Sequence, residues 1–254
     1  MRLASAAVGF VTLVLHAGVA RPAEETVFAE ARVLCPVIVR DADKRPTPPP
    51  LVVGLHGRGG TAESFAGLFR DFAEPRPAFV VPEAPYPLLV QARQPFLGWS
   101  WDFPSNDRAL WARADPLVAS YVLDVARRVK AEKGAGGVYL LGHSQGVAYA
   151  YMAMAQDPDL VRGVIAFAGV LPEWLTGDGA FAAAAPRVRV FIAHGRGDEA
   201  VAPDKSRRAS ARLEKLGFDV TYREFKGGHH VDAATLRQAH AWLEAIERAA
   251  RDRD

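Results

Sequence analysis

Hydrophobic and polar positions along this chain follow two periods in turn. Short apolar runs occur at Leu51–Leu55, Ala78–Val81, Val138–Leu141, Val164–Phe167, Val188–Ala193 and Val220–Phe225. Several are uninterrupted, as expected for strands covered on both faces. Between them lie segments of helical period. Pro116–Lys133 puts Leu117, Val118, Tyr121, Val122, Val125 and Val129 on one stripe and stops at Gly134. Ser144–Ala155, Pro203–Leu216 and Asp232–Ala250 predict three further helices. Strands alternating with helices in this order predict parallel βαβ units, hence an α/β fold. Thr26–Val39 is expected to add one or two earlier strands, antiparallel and at the sheet edge. Arg45–Pro50 reads as a stiff turn into the first central strand, because too few residues precede it to make a domain. Pro75–Asp115 holds six prolines by Pro95 and three of the five tryptophans, and reads as a long ordered loop.

The first twenty residues break the pattern. Leu3–Ala20 contains no Asp, Glu, Lys or Arg and follows Arg2. A basic start before an apolar run predicts a secretory signal over residues 1–20, with Gly18 and Ala20 as the small residues before a cut at Arg21. The expectation is one exported catalytic domain over residues 21–254, periplasmic or extracellular, without a stable membrane span in its mature form. An uncleaved membrane anchor is the alternative. Ser5, Thr12 and His16 and the marginal length of the run weigh against it.

Composition narrows the partners. The chain has 254 residues, half of them hydrophobic, enough for a core that needs no staples. Thirty-one basic and 29 acidic residues are interleaved, for a formal charge of +2. No field is available to hold a polyanion, so nucleic acid is not an expected partner. The single cysteine, Cys35, has no companion for a disulfide or a thiolate metal site and reads as a small, buried apolar residue.

The chemistry concentrates at strand ends. An apolar strand runs into Gly142-His143-Ser144-Gln145-Gly146 and then a helix, which is the pattern of a nucleophile elbow. Small residues at 142 and 146 relieve crowding around a strained, exposed serine. His143 is set aside as the base, because an adjacent residue points away across so sharp a turn. A serine hydroxyl is a poor nucleophile at neutral pH, so an imidazole must take its proton and a carboxylate must hold that imidazole.

Asp198 follows the strand Val188–Ala193, on the rim that carries Ser144. That placement favours it over Glu199, Asp178 and Asp204. His229, directly after Gly227-Gly228, is preferred to His230 as the base. His194 reads as packing at a strand end, and His240 as a packed or surface residue. A metal site from His229, His230 and Asp232 lacks its remaining ligands.

An oxyanion needs two preorganised N–H donors. One is assigned to Gln145. The other is assigned to Arg58, in Leu55-His56-Gly57-Arg58-Gly59-Gly60, whose glycines allow close approach. This loop lacks the Gly-Lys-Ser/Thr ending of a phosphate loop. Trp99, Trp101, Phe103 and Trp174 are candidate pocket walls, although core packing explains these rings nearly as well.

Taken in order, Leu-His-Gly-Arg-Gly-Gly, Gly-His-Ser-Gln-Gly, His-Gly-Arg-Gly-Asp-Glu-Ala-Val-Ala-Pro and Gly-Gly-His resemble the α/β-hydrolase superfamily. More narrowly they resemble the phospholipase/carboxylesterase family of small serine esterases, which includes acyl-protein thioesterases. The resemblance spans roughly residues 48 to 247. It implies a mostly parallel, eight-stranded sheet with helices on both faces and no large cap domain. It also implies a Ser144–Asp198–His229 triad, an oxyanion hole at Arg58 and Gln145, and no cofactor. The implied activity is hydrolysis of a small-molecule carboxylic ester through an acyl-enzyme. A thioesterase or serine peptidase with the same triad is the alternative, and a non-catalytic binding protein of this fold a distant third. The export signal and the Trp-rich Gly98–Trp111 stretch depart from the family's intracellular, lipid-linked pattern, and Arg58 is a bulky, charged residue to find beside the oxyanion.

Overall fold

The computed structural model describes residues 34–177 and 179–252. The expected signal segment, the possible strand content of residues 26–33 and the competing acid Asp178 lie outside the described residues. Nine strands are described: β1 (Val37–Arg40), β2 (Leu51–Leu55), β3 (Ala78–Pro82), β4 (Tyr86–Val90), β5 (Phe96–Ser100), β6 (Val138–His143), β7 (Val161–Phe167), β8 (Arg189–Gly195) and β9 (Asp219–Phe225). The helices are α1 (Ala62–Ala66), α2 (Arg108–Lys133), α3 (Gln145–Gln156), α4 (Gly179–Ala183), α5 (Asp204–Lys215) and α6 (Ala233–Arg251).

Seven of the strands form one sheet in the order β1-β3-β2-β6-β7-β8-β9. Only β1 runs antiparallel, pairing Val37 with Pro82 and Arg40 with Phe79 at the edge. The remaining pairs are parallel. The eight strands implied by the resemblance are therefore seven among the described residues. The other two, β4 and β5, pair only with each other, Tyr86 opposite Ser100 and Val90 opposite Phe96.

Side-chain alternation explains why the central runs are apolar at every position. Leu51, Val53 and Leu55 of β2, Val138 and Leu140 of β6, and Val190 and Ile192 of β8 enter one core, under α2, α3 and α5. Val52, Tyr139, Leu141, Phe191 and Ala193 point the other way, into a second core with Phe65 of α1 and Leu236 and Leu243 of α6. Each strand thus contributes to both layers, and a polar residue at any of these positions would be stranded without water.

Two expectations are corrected. Helix α2 begins at Arg108 rather than Pro116, so the proline lies inside it. Asp107 explains the earlier start: its side chain accepts the Ala109 N–H at 2.8 Å, capping the helix. The Pro116 carbonyl also accepts from side chains, Ser120 Oγ one turn on in the same helix at 2.9 Å and Gln156 Nε2 of α3 at 3.0 Å. The stretch from Pro75 to Asp115 is not one loop but holds the β4–β5 hairpin and the first turns of α2.

Candidate active site

All four site loops leave the carboxyl ends of parallel strands, β2, β6, β8 and β9, on one rim of the sheet. At the end of β6 the chain turns through Ser144 with φ 53° and ψ −117°. That left-handed φ is costly for any residue with a Cβ. The turn is tight enough to demand glycine on both sides. A Cβ on Gly142 would lie 2.6 Å from Val147 Cα, and one on Gly146 would run into the Leu55 carbonyl. Ser144 N–H donates to the Phe167 carbonyl at 2.9 Å, tying the elbow to β7. The hydroxyl of Ser144 makes no hydrogen bond among the described residues.

Asp198 and His229 meet across two loops zipped together by their backbones. Arg196 N–H donates to the Phe225 carbonyl at 3.0 Å and Gly197 N–H to the Gly227 carbonyl at 2.8 Å. Asp198 Oδ1 accepts the N–H groups of Ala200 and Val201, each at 2.9 Å. Its Oδ2 accepts from His229 Nδ1 at 2.7 Å. Burial pushes the Asp198 carboxyl upward. The Val201 N–H, the His229 imidazole and the Ala200 N–H outweigh that, so it is held below the usual carboxylate range. His229 is one-quarter exposed, leaving a face toward solvent. His230 is exposed and packs its ring on Phe225 at 5.3 Å.

Two histidines sit differently from their sequence reading. His194 is fully buried, and its Nε2 stands 3.0 Å from Asp198 Oδ2 and 2.9 Å from the Val201 carbonyl, with Nδ1 2.6 Å from Ser206 Oγ. It is a second imidazole on the same carboxylate, not merely packing. His143 packs against His229 with the rings tilted by 46° and their centroids 4.9 Å apart. Its Nε2 is buried without a hydrogen-bond partner. Burial, then the neighbouring His229, lowers its pKa to about 4, so it stays neutral near pH 7. His240 packs edge-on against Phe72 inside the second core layer.

The loop after β2 lies against the elbow. A Cβ on Gly57 would stand 3.3 Å from Ser144 Cβ and 3.1 Å from His143 Nδ1. The N–H groups of Arg58 and Gln145 have no acceptor among the described residues, which leaves both available to a developing oxyanion. Sequence reasoning missed what holds this loop. Glu83, 6% exposed after β3, accepts the Ala62 N–H at 2.9 Å and stands 3.0 Å from His56 Nε2. His56 Nδ1 donates to the Gly57 carbonyl at 2.8 Å. A lone acid directly after an apolar run and between Pro82 and Pro85 was the available signal. The hairpin holds the other side: Gly59 N–H donates to the Trp99 carbonyl at 2.8 Å and Trp99 N–H to the Gly60 carbonyl at 3.0 Å.

The four candidate wall residues separate. Phe103 lines a cavity of about 380 Å³ together with Arg58. Trp99, Trp101 and Trp174 do not line it. Trp101 is fully buried and donates its indole N–H to the His56 carbonyl at 2.8 Å, while its backbone N–H reaches Gln145 Oε1 at 3.0 Å. Trp99 works through its backbone, and Trp174 is exposed on a 3-10 turn after β7. No cluster of three or more potential metal ligands occurs among the described residues, and none of their helices is long and apolar enough to cross a membrane.

Residues 35–247 match the family model described as phospholipase/carboxylesterase. No curated protein matches the sequence. Among solved structures the chain is similar to the esterase PE8, at 28% identity and TM-score 0.63, covering 84% of this chain and 100% of that one. It is also similar to the Zea mays acyl-protein thioesterase 2, at 20% identity and TM-score 0.65, over 83% and 98% of the two chains. The Bacillus cereus carboxylesterase aligns at 14% identity and TM-score 0.61, over 84% and 94%. At these lower identities the last two speak to the fold alone.

Proposed function

Because the chain belongs to the phospholipase/carboxylesterase family of α/β-hydrolases, we propose that it cleaves carboxylic esters with Ser144 as nucleophile, His229 as base and Asp198 as the carboxylate that orients the base. The observation that carries this reading is the 2.7 Å bond between His229 Nδ1 and Asp198 Oδ2 on the rim that bears the strained Ser144 turn. With Nδ1 committed to Asp198, the remaining ring nitrogen is left to accept a proton.

In the first step Ser144 Oγ attacks the ester carbonyl as His229 takes its proton. The tetrahedral oxyanion accepts from the Arg58 and Gln145 N–H groups. Collapse expels the alcohol, which receives the proton from His229 and leaves an acyl-Ser144. Water, deprotonated by the same histidine, then releases the acid and regenerates the serine. The Ser144–His229 hydrogen bond is not formed in this structure. Such bonds are commonly long without substrate and tighten in the reacting complex.

Ser144→Ala should abolish both aryl-ester turnover and fluorophosphonate labelling. A variant still turning over p-nitrophenyl acetate at the parent rate overturns the assignment. The same triad attacks thioesters and amides, so parallel assays on an aryl ester, an acyl thioester and an aminoacyl amide fix the class. Export rests on the Leu3–Ala20 run. A secreted product whose N-terminus reads Arg21 supports it, and a cell-retained, full-length chain overturns it.

A further inference from the structure

The 380 Å³ cavity beside the oxyanion loop falls within the range of roughly 300–1,000 Å³ typical of small-molecule sites. Arg58 reaches it from the loop, Tyr86 from β4, Ser100 from β5, and Phe103, Asn106 and Trp111 from the segment that follows. Ser100 ties it to the residue that follows the proposed nucleophile, since Ser100 Oγ accepts from Gln145 Nε2 at 3.0 Å. Its aromatic walls are fixed. The Trp111 indole N–H donates to the carbonyls of Phe103 at 3.0 Å and Ser105 at 2.9 Å, and Tyr86 meets Phe103 edge-on at 5.4 Å.

Between these rings stand polar groups without partners among the described residues. The Arg58 guanidinium and the Asn106 amide make no hydrogen bond. Asp102, which also lines the cavity, faces the Tyr149 hydroxyl with Oδ1 at 3.1 Å, a hydroxyl it shares with Asp115 Oδ1 at 2.8 Å, and leaves Oδ2 unpaired. Three ligand chemistries can be weighed against this set. An alkyl chain would strip water from Arg58, Asn106 and Asp102 and return no hydrogen bond. A simple anion would satisfy Arg58 but face the Asp102 carboxylate. A polyhydroxylated ring suits every group, because its hydroxyls donate to Asp102 and accept from Arg58 and Asn106 while its C–H faces lie on the aromatic rings.

We infer that the cavity is a sugar subsite and that the preferred substrates are esters of a sugar-like polyol, bound with the acylated hydroxyl toward Ser144. This rests on the esterase reading above.

The test compares kcat/KM for methyl 6-O-acetyl-glucopyranoside and hexyl acetate, two acetates of primary alcohols, in the mature protein and in Trp111→Ala and Asn106→Ala. The sugar ester is expected to be preferred at least tenfold, and each substitution to lower the sugar-to-hexyl ratio at least fivefold. Saturation-transfer NMR with methyl glucopyranoside reads the subsite independently of turnover. Transfer is expected in the parent and in Ser144→Ala, and reduced transfer in Trp111→Ala. Equal or better cleavage of hexyl acetate, or no saturation transfer, overturns the subsite while leaving the esterase reading intact. Saturation transfer in a protein that fluorophosphonates do not label overturns the esterase reading instead.

Discussion

Glu83 Oε1 accepts the Ala62 N–H at 2.9 Å and lies 3.0 Å from His56 Nε2, which itself accepts the Ala84 N–H at 3.2 Å, so the buried Glu83–Ala84 segment grips both ends of the loop that carries Arg58. Displacing an oxyanion donor by about 1 Å costs on the order of a hundredfold in rate. Glu83→Ala should therefore lower kcat on p-nitrophenyl acetate by about 10- to 100-fold with KM changed less than about threefold. Glu83→Gln, which keeps an acceptor for Ala62, should fall between. A trifluoromethyl ketone inhibitor, which forms the oxyanion, should weaken in step with kcat. Loss confined to KM would show that the grip serves binding instead.

Two imidazoles share Asp198. Removing its charge while keeping its shape should lower kcat by about four orders of magnitude in Asp198→Asn, since His229 then loses the acceptor that fixes its tautomer. His194→Phe tests the second contact. It should leave His229 bonded to Asp198 and cost about tenfold or less, of order 1 kcal/mol in barrier. A loss in His194→Phe equal to that in Asp198→Asn would make His194 the group that matters.

His143 gives a pH signature. It titrates near 6.5 when unfolded, while burial and the neighbouring His229 hold it neutral to about 4 in the folded chain. Between those values the unfolded state binds a proton that the folded state refuses. Its contribution to stability is therefore complete above 6.5 and declines as pH falls toward about 4, by up to roughly 1.4 kcal/mol per pH unit. His143→Phe, which keeps the ring on His229, should flatten this part of the stability profile. Urea midpoints of the two proteins at pH 7.0, about 5.5 and about 4.5 check it; parallel profiles would refute the assignment.

Gly98 marks where the hairpin touches the site. A Cβ there would run into the Gly59 carbonyl. Gly98→Ala should push β5 off the oxyanion loop, breaking the paired bonds between Gly59, Gly60 and Trp99. Activity should fall by tenfold or more, while the thermal midpoint drops only a few degrees, the change expected for about 1 kcal/mol. Equal activity in both proteins would show the loop to be self-supporting.

The fold was legible because the sheet is buried on both faces. Leu51–Leu55 and Val138–Leu141 cannot be surface segments, and parallel strands must be spaced by helices. The placement of the candidate site was legible for a related reason, since the topology gathers residues 58, 144, 198 and 229 on one rim wherever their side chains point. What escaped were contacts made across sequence by backbone. Trp99 looked like a wall residue because of its ring, yet it acts through its N–H and carbonyl. Glu83 shows in the sequence only as a lone acid after an apolar run and His194 only as a strand end, and their roles exist only once β3 and β8 are set beside their neighbours. Pro116 is a poor marker of the helix start: a proline in a helix interior costs one hydrogen bond and a clash with the preceding turn, which a long helix can absorb, and the Asp107 cap supplies the start instead.

The left-handed turn at Ser144 sets stability and activity against each other at a single residue. Glycine adopts φ 53° without penalty. Ser144→Gly should therefore yield an inert protein that outlasts its parent on heating, by roughly 1 kcal/mol. Under the proposed reading that exchange removes the nucleophile, so the hydroxyl that would carry turnover is held at a cost in stability that glycine would not incur.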